Sequence, residues 1–154
     1  EGPYVGISWK SSVKSAYRLE HYPSISEWAP VLNVPNVTFI NLQYVDYAED
    51  IARVEDEFGV KIHNFDDIDQ YGDIDEVAAL CAALDVVVST KVTPPMISAG
   101  VGTPTKIANW RQSNFNNILN NPNITSFEMI DRDTGQSWDN VFKSIAEKIS
   151  ISNN

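Results

Sequence analysis

The stretch "DIDEVAALCAALDVVVSTKVTPPMISAGVGTP", residues 73–104, decides the fold. "DIDEVAALCAAL" (73–84) has a helical pattern. Asp73 stands at its start as a cap and Glu76 follows three residues later, an arrangement close to a capping box. "DVVVS" (85–89) is a short apolar run, the signature of a strand buried on both faces. A polar turn follows, and then two prolines open "PPMISAGVG" (94–102), read as a short helix with proline at its start. "TPTKIAN" (103–109) is the next strand. Helix, buried strand, helix and strand in this order describe parallel strands joined by crossover helices.

The same alternation extends in both directions. Upstream, "YVGISW" (4–9) and "NVTFINLQ" (36–43) read as strands, with a helix over "SISEWAPVLN" (24–33) between them, capped by Ser24 or Ser26. "YAEDIARVEDEFG" (47–59) is an amphipathic helix closed by Gly59, and "VKIHNF" (60–65) is a short strand. Downstream, "SFEMID" (126–131) reads as a last strand and "SWDNVFKSIAEKIS" (137–150) as an amphipathic helix. "NFNNILNNPN" (114–123) reads as a loop or frayed helix, because asparagine favours turns. The fold class is therefore α/β: a Rossmann-like, doubly wound, mainly parallel six-stranded sheet with helices on both faces. If the strand order is the 3-2-1-4-5-6 of such folds, strands 1 and 4 are central neighbours.

A chain of 154 residues with 43% hydrophobic residues suffices for one packed core. Residues 1–154 read as a single domain, expected to belong to the C-terminal part of a longer protein. No apolar run approaches the roughly 20 residues that span a bilayer. The start, "EGPYVGISWK", lacks the basic and apolar regions of a signal peptide. The expected location is the cytoplasm. Cys81 is the only cysteine, so no internal disulfide forms. Among Leu80, Ala82 and Ala83 it reads as a small buried apolar residue. His21 and His63 read as surface or packing residues.

The net charge of −10 is regional. Residues 46–76 hold twelve carboxylates against Arg53 and Lys61, and the rest of the chain is balanced. This excludes a nucleic-acid polymer as partner, which would require a basic face. The acidic stretch reads as a solvated helix face and loop. "DDIDQYGDIDE" lacks the glycine and final glutamate of a calcium loop, and no metal is expected.

In doubly wound sheets ligands bind beyond the carboxyl ends of the strands, where the order reverses. Here that point lies between strands 1 and 4. The loop after strand 1, "WKSSVKSAYR" (9–18), carries Lys10, Lys14 and Arg18 with Ser11, Ser12 and Ser15. The loop after strand 4, "TKVTPP" (90–95), carries Thr90, Lys91 and Thr93, while Lys106 and Arg111 are assigned to the same rim beyond strand 5. Cations and hydroxyls gathered there suit an anionic ligand such as a phosphate or diphosphate. The chain has neither a G-x-G-x-x-G after strand 1 nor a P-loop, which disfavours ordinary nicotinamide dehydrogenases and P-loop nucleotidases.

"VGISWKSS", "INLQY", "DIDEVAALCAALDVVVST", "AGVGTP" and "SWDNVFKSIAEKI" occur in that order over residues 4–150. Together they resemble the C-terminal, donor-binding half of a GT-B glycosyltransferase. The nearest likeness is to the heptosyltransferase-like type (family 9) found behind tetratricopeptide repeats in bacteria. The resemblance implies binding of a nucleotide-sugar as substrate, with no separate cofactor, and a missing N-terminal GT-B domain as partner. It implies little turnover by this chain alone. It places Lys10 and Ser11 at the donor diphosphate and Gln43 near the nucleotide. Asp66 to Ile68 would border the base, and Thr90, Lys91 and Thr93 would face the phosphates and sugar. The chain departs from the family pattern D-x-V-[IV]-S-V-[DN]-T-x-x-x-H in one loop: Lys91-Val92 replace the [DN]-T pair and Met96 replaces the histidine. Pro94 and Pro95 remove N–H groups from a phosphate nest there. Weak donor binding, or a degenerate non-catalytic relative acting as an interaction or weak nucleotide-binding module, is the expectation this departure raises.

Overall fold

The computed structural model of the chain describes residues 2–12, 22–110 and 125–151. One six-stranded sheet organises them. Its strands are β1 (Tyr4–Ser8), β2 (Thr38–Asn41), β3 (Ile62–His63), β4 (Val86–Ser89), β5 (Thr105–Trp110) and β6 (Phe127–Arg132). The order across the sheet is β3-β2-β1-β4-β5-β6, and all five neighbouring pairs are parallel. The topology read from the sequence is thus the one observed.

Alternation along the central strands builds two cores. Val5 and Ile7 of β1 and Val86 and Val88 of β4 face one side. Val87 of β4, with Ile40 and Leu42, faces the other. The first side is covered by a 3-10 turn (Ile25–Trp28), the helical turn α1 (Ala29–Leu32), α2 (Ala48–Phe58) and α5 (Asp139–Ile151). Trp28, Val31, Val54, Trp138, Phe142 and Ile145 are buried there, and the Trp28 and Phe142 ring centroids lie 4.7 Å apart. The second side is covered by α3 (Ile74–Ala82), which contributes Val77 and Cys81, and by α4 (Thr93–Gly100), whose half-buried Ile97 packs against them.

Gly6 sits under the second layer. A Cβ there would lie 2.5 Å from Leu84 Cδ1 and 2.6 Å from Leu42 Cδ1. The absence of a side chain lets these leucines close over β1.

Local departures from the sequence reading have local causes. The helix expected over 24–33 starts as a 3-10 turn, and Pro30 then sits at the start of α1, where its missing N–H is tolerated. The Glu27 carboxylate accepts from Ser24 N (2.8 Å) and Ser24 Oγ (3.1 Å). At α3, Asp73 Oδ1 accepts from Asp75 N and Glu76 N, both at 3.0 Å, so the cap is as expected. The Glu76 side chain does not close a box on Asp73; it accepts from Asp69 N (3.1 Å) and ties down the preceding turn. β3 is shorter than 60–65 because Asn64 leaves the ladder: its side chain bonds Asn41 (2.7 Å), Tyr47 (3.3 Å) and Asp66. α2 ends as expected at Gly59, whose left-handed φ of 65° lets its N–H reach Glu55 O (2.9 Å).

Candidate functional site

The switch point lies between β1 and β4. Ser8 and Ser89 are register partners at the carboxyl ends of these strands. Thr90 N donates to Ser8 O (3.1 Å), and Ser89 Oγ donates to the same carbonyl (2.8 Å). The loops beginning at residues 9 and 90 therefore leave the sheet side by side, as the strand order requires.

Gln43 shapes the first loop. Its Oε1 accepts from Ser8 Oγ (3.2 Å), Trp9 N (3.0 Å) and Lys10 N (3.0 Å), and its Nε2 donates to Val45 O (3.3 Å). The side chain is fully buried. The residue expected beside the nucleotide thus lies beneath the loop and fixes the backbone that carries Lys10 and Ser11. Asn41 supports it: Asn41 Oδ1 accepts from Gln43 N (2.8 Å), and Asn41 Nδ2 donates to Gln43 O (3.1 Å).

Lys10 and Lys91 do not converge. Lys10 Nζ donates to Asp46 O (2.6 Å) and to Asp50 Oδ2 (2.6 Å), toward the β2–α2 connection. The same Asp50 oxygen accepts from Trp9 Nε1 (2.8 Å). Lys91 feels Asp131, at the end of β6 on the opposite flank; burial pulls its pKa below the usual lysine value and Asp131 partly offsets this. Tyr22 Oη donates to Lys91 O (3.0 Å) and pins the turn. Among the described residues, Lys10 is thus paired with Asp50 on one flank, and Lys91 is influenced by Asp131 on the other.

The first turn of α4 offers little to a phosphate. Val92 is its extended N-cap, without a side-chain hydrogen bond. Thr93, Pro94 and Pro95 are its first three residues, so Thr93 alone can present a free N–H there. Met96, where the resemblance implies a histidine, is exposed on the next position. Thr90 is buried, and its hydroxyl has no partner among the described residues.

Asp66 and Ile68 lie beyond β3, on the flank of the sheet occupied by the Asn41–Asn64 network. Asp66 is exposed and accepts from Asn64 Nδ2, while Ile68 is half-buried. Gln70 Nε2 closes this network on Asn41 O (3.0 Å).

Lys106 is not at this rim. It is the second residue of β5 and pairs with Glu128 (2.7 Å), which Lys148 also holds (2.7 Å). The strand runs six residues to Trp110, so Lys106 emerges at the amino end. There it lines a concavity of about 1140 Å³ with Pro3, Asn36, Asp85 and Lys148. That hollow lies on the sheet rim opposite the switch point. Lys14, Ser15, Arg18, His21, Arg111 and the asparagine-rich 114–123 segment lie outside the described residues.

Sequence reasoning missed Asp50, inside a stretch read as a solvated helix face. It also missed Asn109 and Asp131, whose side chains bond across the carboxyl ends of β5 and β6. A usable signal existed for the latter two: each is a polar residue ending an apolar strand pattern. Among the described residues no cluster of His, Cys, Asp or Glu is arranged to hold a metal, and no helix is long and apolar enough to cross a membrane. Cys81 is buried, and burial pushes its thiol up to about 11, the reverse of an activated nucleophile.

No family model matches the chain. It is 44% identical to Protein FlbA of Caulobacter vibrioides over 103 residues, which is 67% of this chain and 17% of that protein. The crystal structure of the glycosyl transferase family 9 protein from Veillonella parvula superposes with a TM-score of 0.57 over 97% of this chain and 42% of that one, at 14% identity. The chain thus has a Rossmann-like, glycosyltransferase-like α/β fold, and it spans a small part of the curated relative.

Proposed function

We propose that the chain is the donor-binding half of a GT-B glycosyltransferase, binding a nucleotide-sugar beyond the carboxyl ends of β1 and β4. The observation that carries this reading is the direct bonding of Ser8 to Ser89 and Thr90, which joins the two loops at the switch point of a family-9-like fold. In this reading Lys10 and Ser11 contact the diphosphate, with Gln43 positioning their backbone. Thr90, Lys91 and Thr93 face the phosphates and sugar, and Asp66 and Ile68 border the base. The chemistry is completed by an N-terminal α/β half of the same protein, facing this one across a cleft.

A second reading is favoured by the loop itself: a degenerate relative serving as an interaction or weak nucleotide-binding module. Only Thr93 can offer a free N–H in the first turn of α4, and Lys10 is already neutralised by Asp50. Calorimetric and thermal-shift titration with UDP, GDP and ADP separates the two. A ligand at 100 times its Kd raises stability by about 2.7 kcal/mol. Binding in the micromolar range supports the donor site. No response to any of the three at millimolar concentration leaves the interaction module.

A further inference from the structure

Apart from Asp66 and Ile68, which the donor-site reading sets beside the base, the 65–74 segment presents exposed apolar side chains that the donor site does not use. Among the described residues six large apolar side chains are exposed, and three of them, Phe65, Tyr71 and Ile74, fall within this segment. Tyr71 is 77% exposed and Ile74 67%. Tyr71 is not loose on its backbone. Asp69 Oδ1 accepts from Tyr71 N (3.1 Å) and Gly72 N (2.9 Å), and Asp73 N donates to Asp69 O (3.0 Å). Asp69 N also donates to Glu76 Oε2 (3.1 Å). The turn is therefore built, and it holds a tyrosine out into water. The Tyr71 ring lies 6.1 Å from that of Tyr44, at 44°, so the apolar surface continues toward the β2 end.

The surroundings determine what could cover it. Asp66, Asp67, Asp69, Asp73, Asp75 and Glu76 surround these side chains in sequence, and no cation lies between Lys61 and Lys91. Asp66, Asp69, Asp73 and Glu76 shape the turn, whereas the carboxylates of Asp67 and Asp75 make no hydrogen bond or ion pair among the described residues. An anionic membrane or a nucleic acid is repelled by this field. A second copy carries the same net charge of −10 and is disfavoured by the same repulsion.

We propose that the Phe65–Ile74 surface docks a cationic segment of a partner protein, whose apolar side chains cover Tyr71 and Ile74 while its Lys or Arg residues meet the carboxylates. Charge complementarity sets the partner's sign, and the exposed apolar side chains supply the desolvated centre that such interfaces need. The inference shares Asp66 and Ile68 with the donor-site reading but does not rest on it, and its peptide test uses no nucleotide.

The test is fluorescence anisotropy with two synthetic peptides of equal charge, one amphipathic and built of Lys and Leu, the other with every Leu replaced by Ser. The Lys/Leu peptide is expected to bind, with weaker binding at high salt. Tyr71→Ser and Ile74→Ser should each weaken it about fivefold or more, the level expected of central interface residues. Glu55→Gln with Asp56→Asn, on the exposed part of α2, should leave it within about twofold. Both apolar positions are exposed, so unchanged thermal transitions should accompany the effect. The proposal is overturned if neither peptide binds, if the Ser peptide binds as tightly, or if Tyr71→Ser has no effect. It is equally overturned if sedimentation shows Tyr71→Ser abolishing self-association, which would assign the surface to a second copy.

Discussion

Lys10 Nζ lies 2.6 Å from Asp50 Oδ2. The pair sits at the mouth of the switch point and decides how much positive charge the first loop can offer. A diphosphate entering there must draw Lys10 from Asp50, or accept hydrogen bonds from the loop without its charge. Asp50 also receives Trp9 Nε1, so it anchors the loop in either case.

Asp50→Ala is expected to destabilise the fold by about 1–3 kcal/mol, because it strands a Trp9 donor as well as an ammonium group. Lys10→Ala should cost about 1 kcal/mol or less, since the lysine is one-third exposed. Urea denaturation of the two variants gives the comparison. If Lys10 reaches the diphosphate, Lys10→Ala also weakens nucleotide binding by about 1–3 kcal/mol, read by calorimetry.

Gln43→Ala should cost about 2–4 kcal/mol. It leaves Trp9 N and Lys10 N without their acceptor and opens a cavity in a fully buried position. Hydrogen exchange locates the effect: the Trp9 and Lys10 amides should lose protection before those of β4. Equal protection in variant and wild type would sink the positioning role given to Gln43.

The parallel pairing and the helix placement were legible because three short runs carry them; the strand order was taken from the usual doubly wound arrangement. "VGIS", "TFIN" and "VVVS" are apolar on both faces, and only a covered parallel sheet accommodates that. The helix ends were legible where one residue type has one use, as with Gly59 and Asp73. The site was legible only as a location. That Lys10 turns to Asp50 and Lys91 toward Asp131 depends on side-chain partners far apart in sequence. Charge counted along the chain placed cations at a rim; it could not show that Lys10 is already paired with Asp50 or that Lys106 lies at the opposite rim.

Glu128 bridges Lys106 and Lys148, whose hydrogen bonds hold its carboxyl below the ordinary carboxylate range. A depressed folded-state pKa contributes stability above the unfolded carboxylate value, and that contribution is lost as pH falls through the folded value. The stability difference between wild type and Glu128→Gln, from denaturant midpoints, should therefore favour wild type at neutral pH. It should shrink as the solution is acidified below the ordinary carboxylate range. A difference independent of pH would contradict the assignment.

Cys81 is fully buried against the second face of the sheet. Burial raises its pKa to about 11, so the folded protein disfavours thiolate as pH rises from the unfolded thiol value toward that point. A disulfide reagent at neutral pH should label it at the rate of opening or unfolding, not at the rate of an exposed thiol. Rapid labelling of the native protein would mean the α3 layer opens readily.

The first turn of α4 supplies the sharpest test of the donor site. Pro94 and Pro95 remove two of the three N–H groups that an anion would meet at this end. Pro95→Ala restores the third-position N–H, which in a helix points along the axis toward such an anion. A restored charge-assisted hydrogen bond is worth about 1.5–3 kcal/mol, roughly ten- to a hundredfold in Kd. Packing loss at this buried proline would lower the thermal transition but would not by itself tighten ligand binding, so the two effects separate. Adding Lys91→Asn, Val92→Thr and Met96→His restores the remaining family pattern. Calorimetry with UDP, GDP and ADP should show tighter binding in the restored protein if α4 still faces the phosphates. Equal or absent binding before and after restoration would place the diphosphate elsewhere and leave the chain as an interaction module.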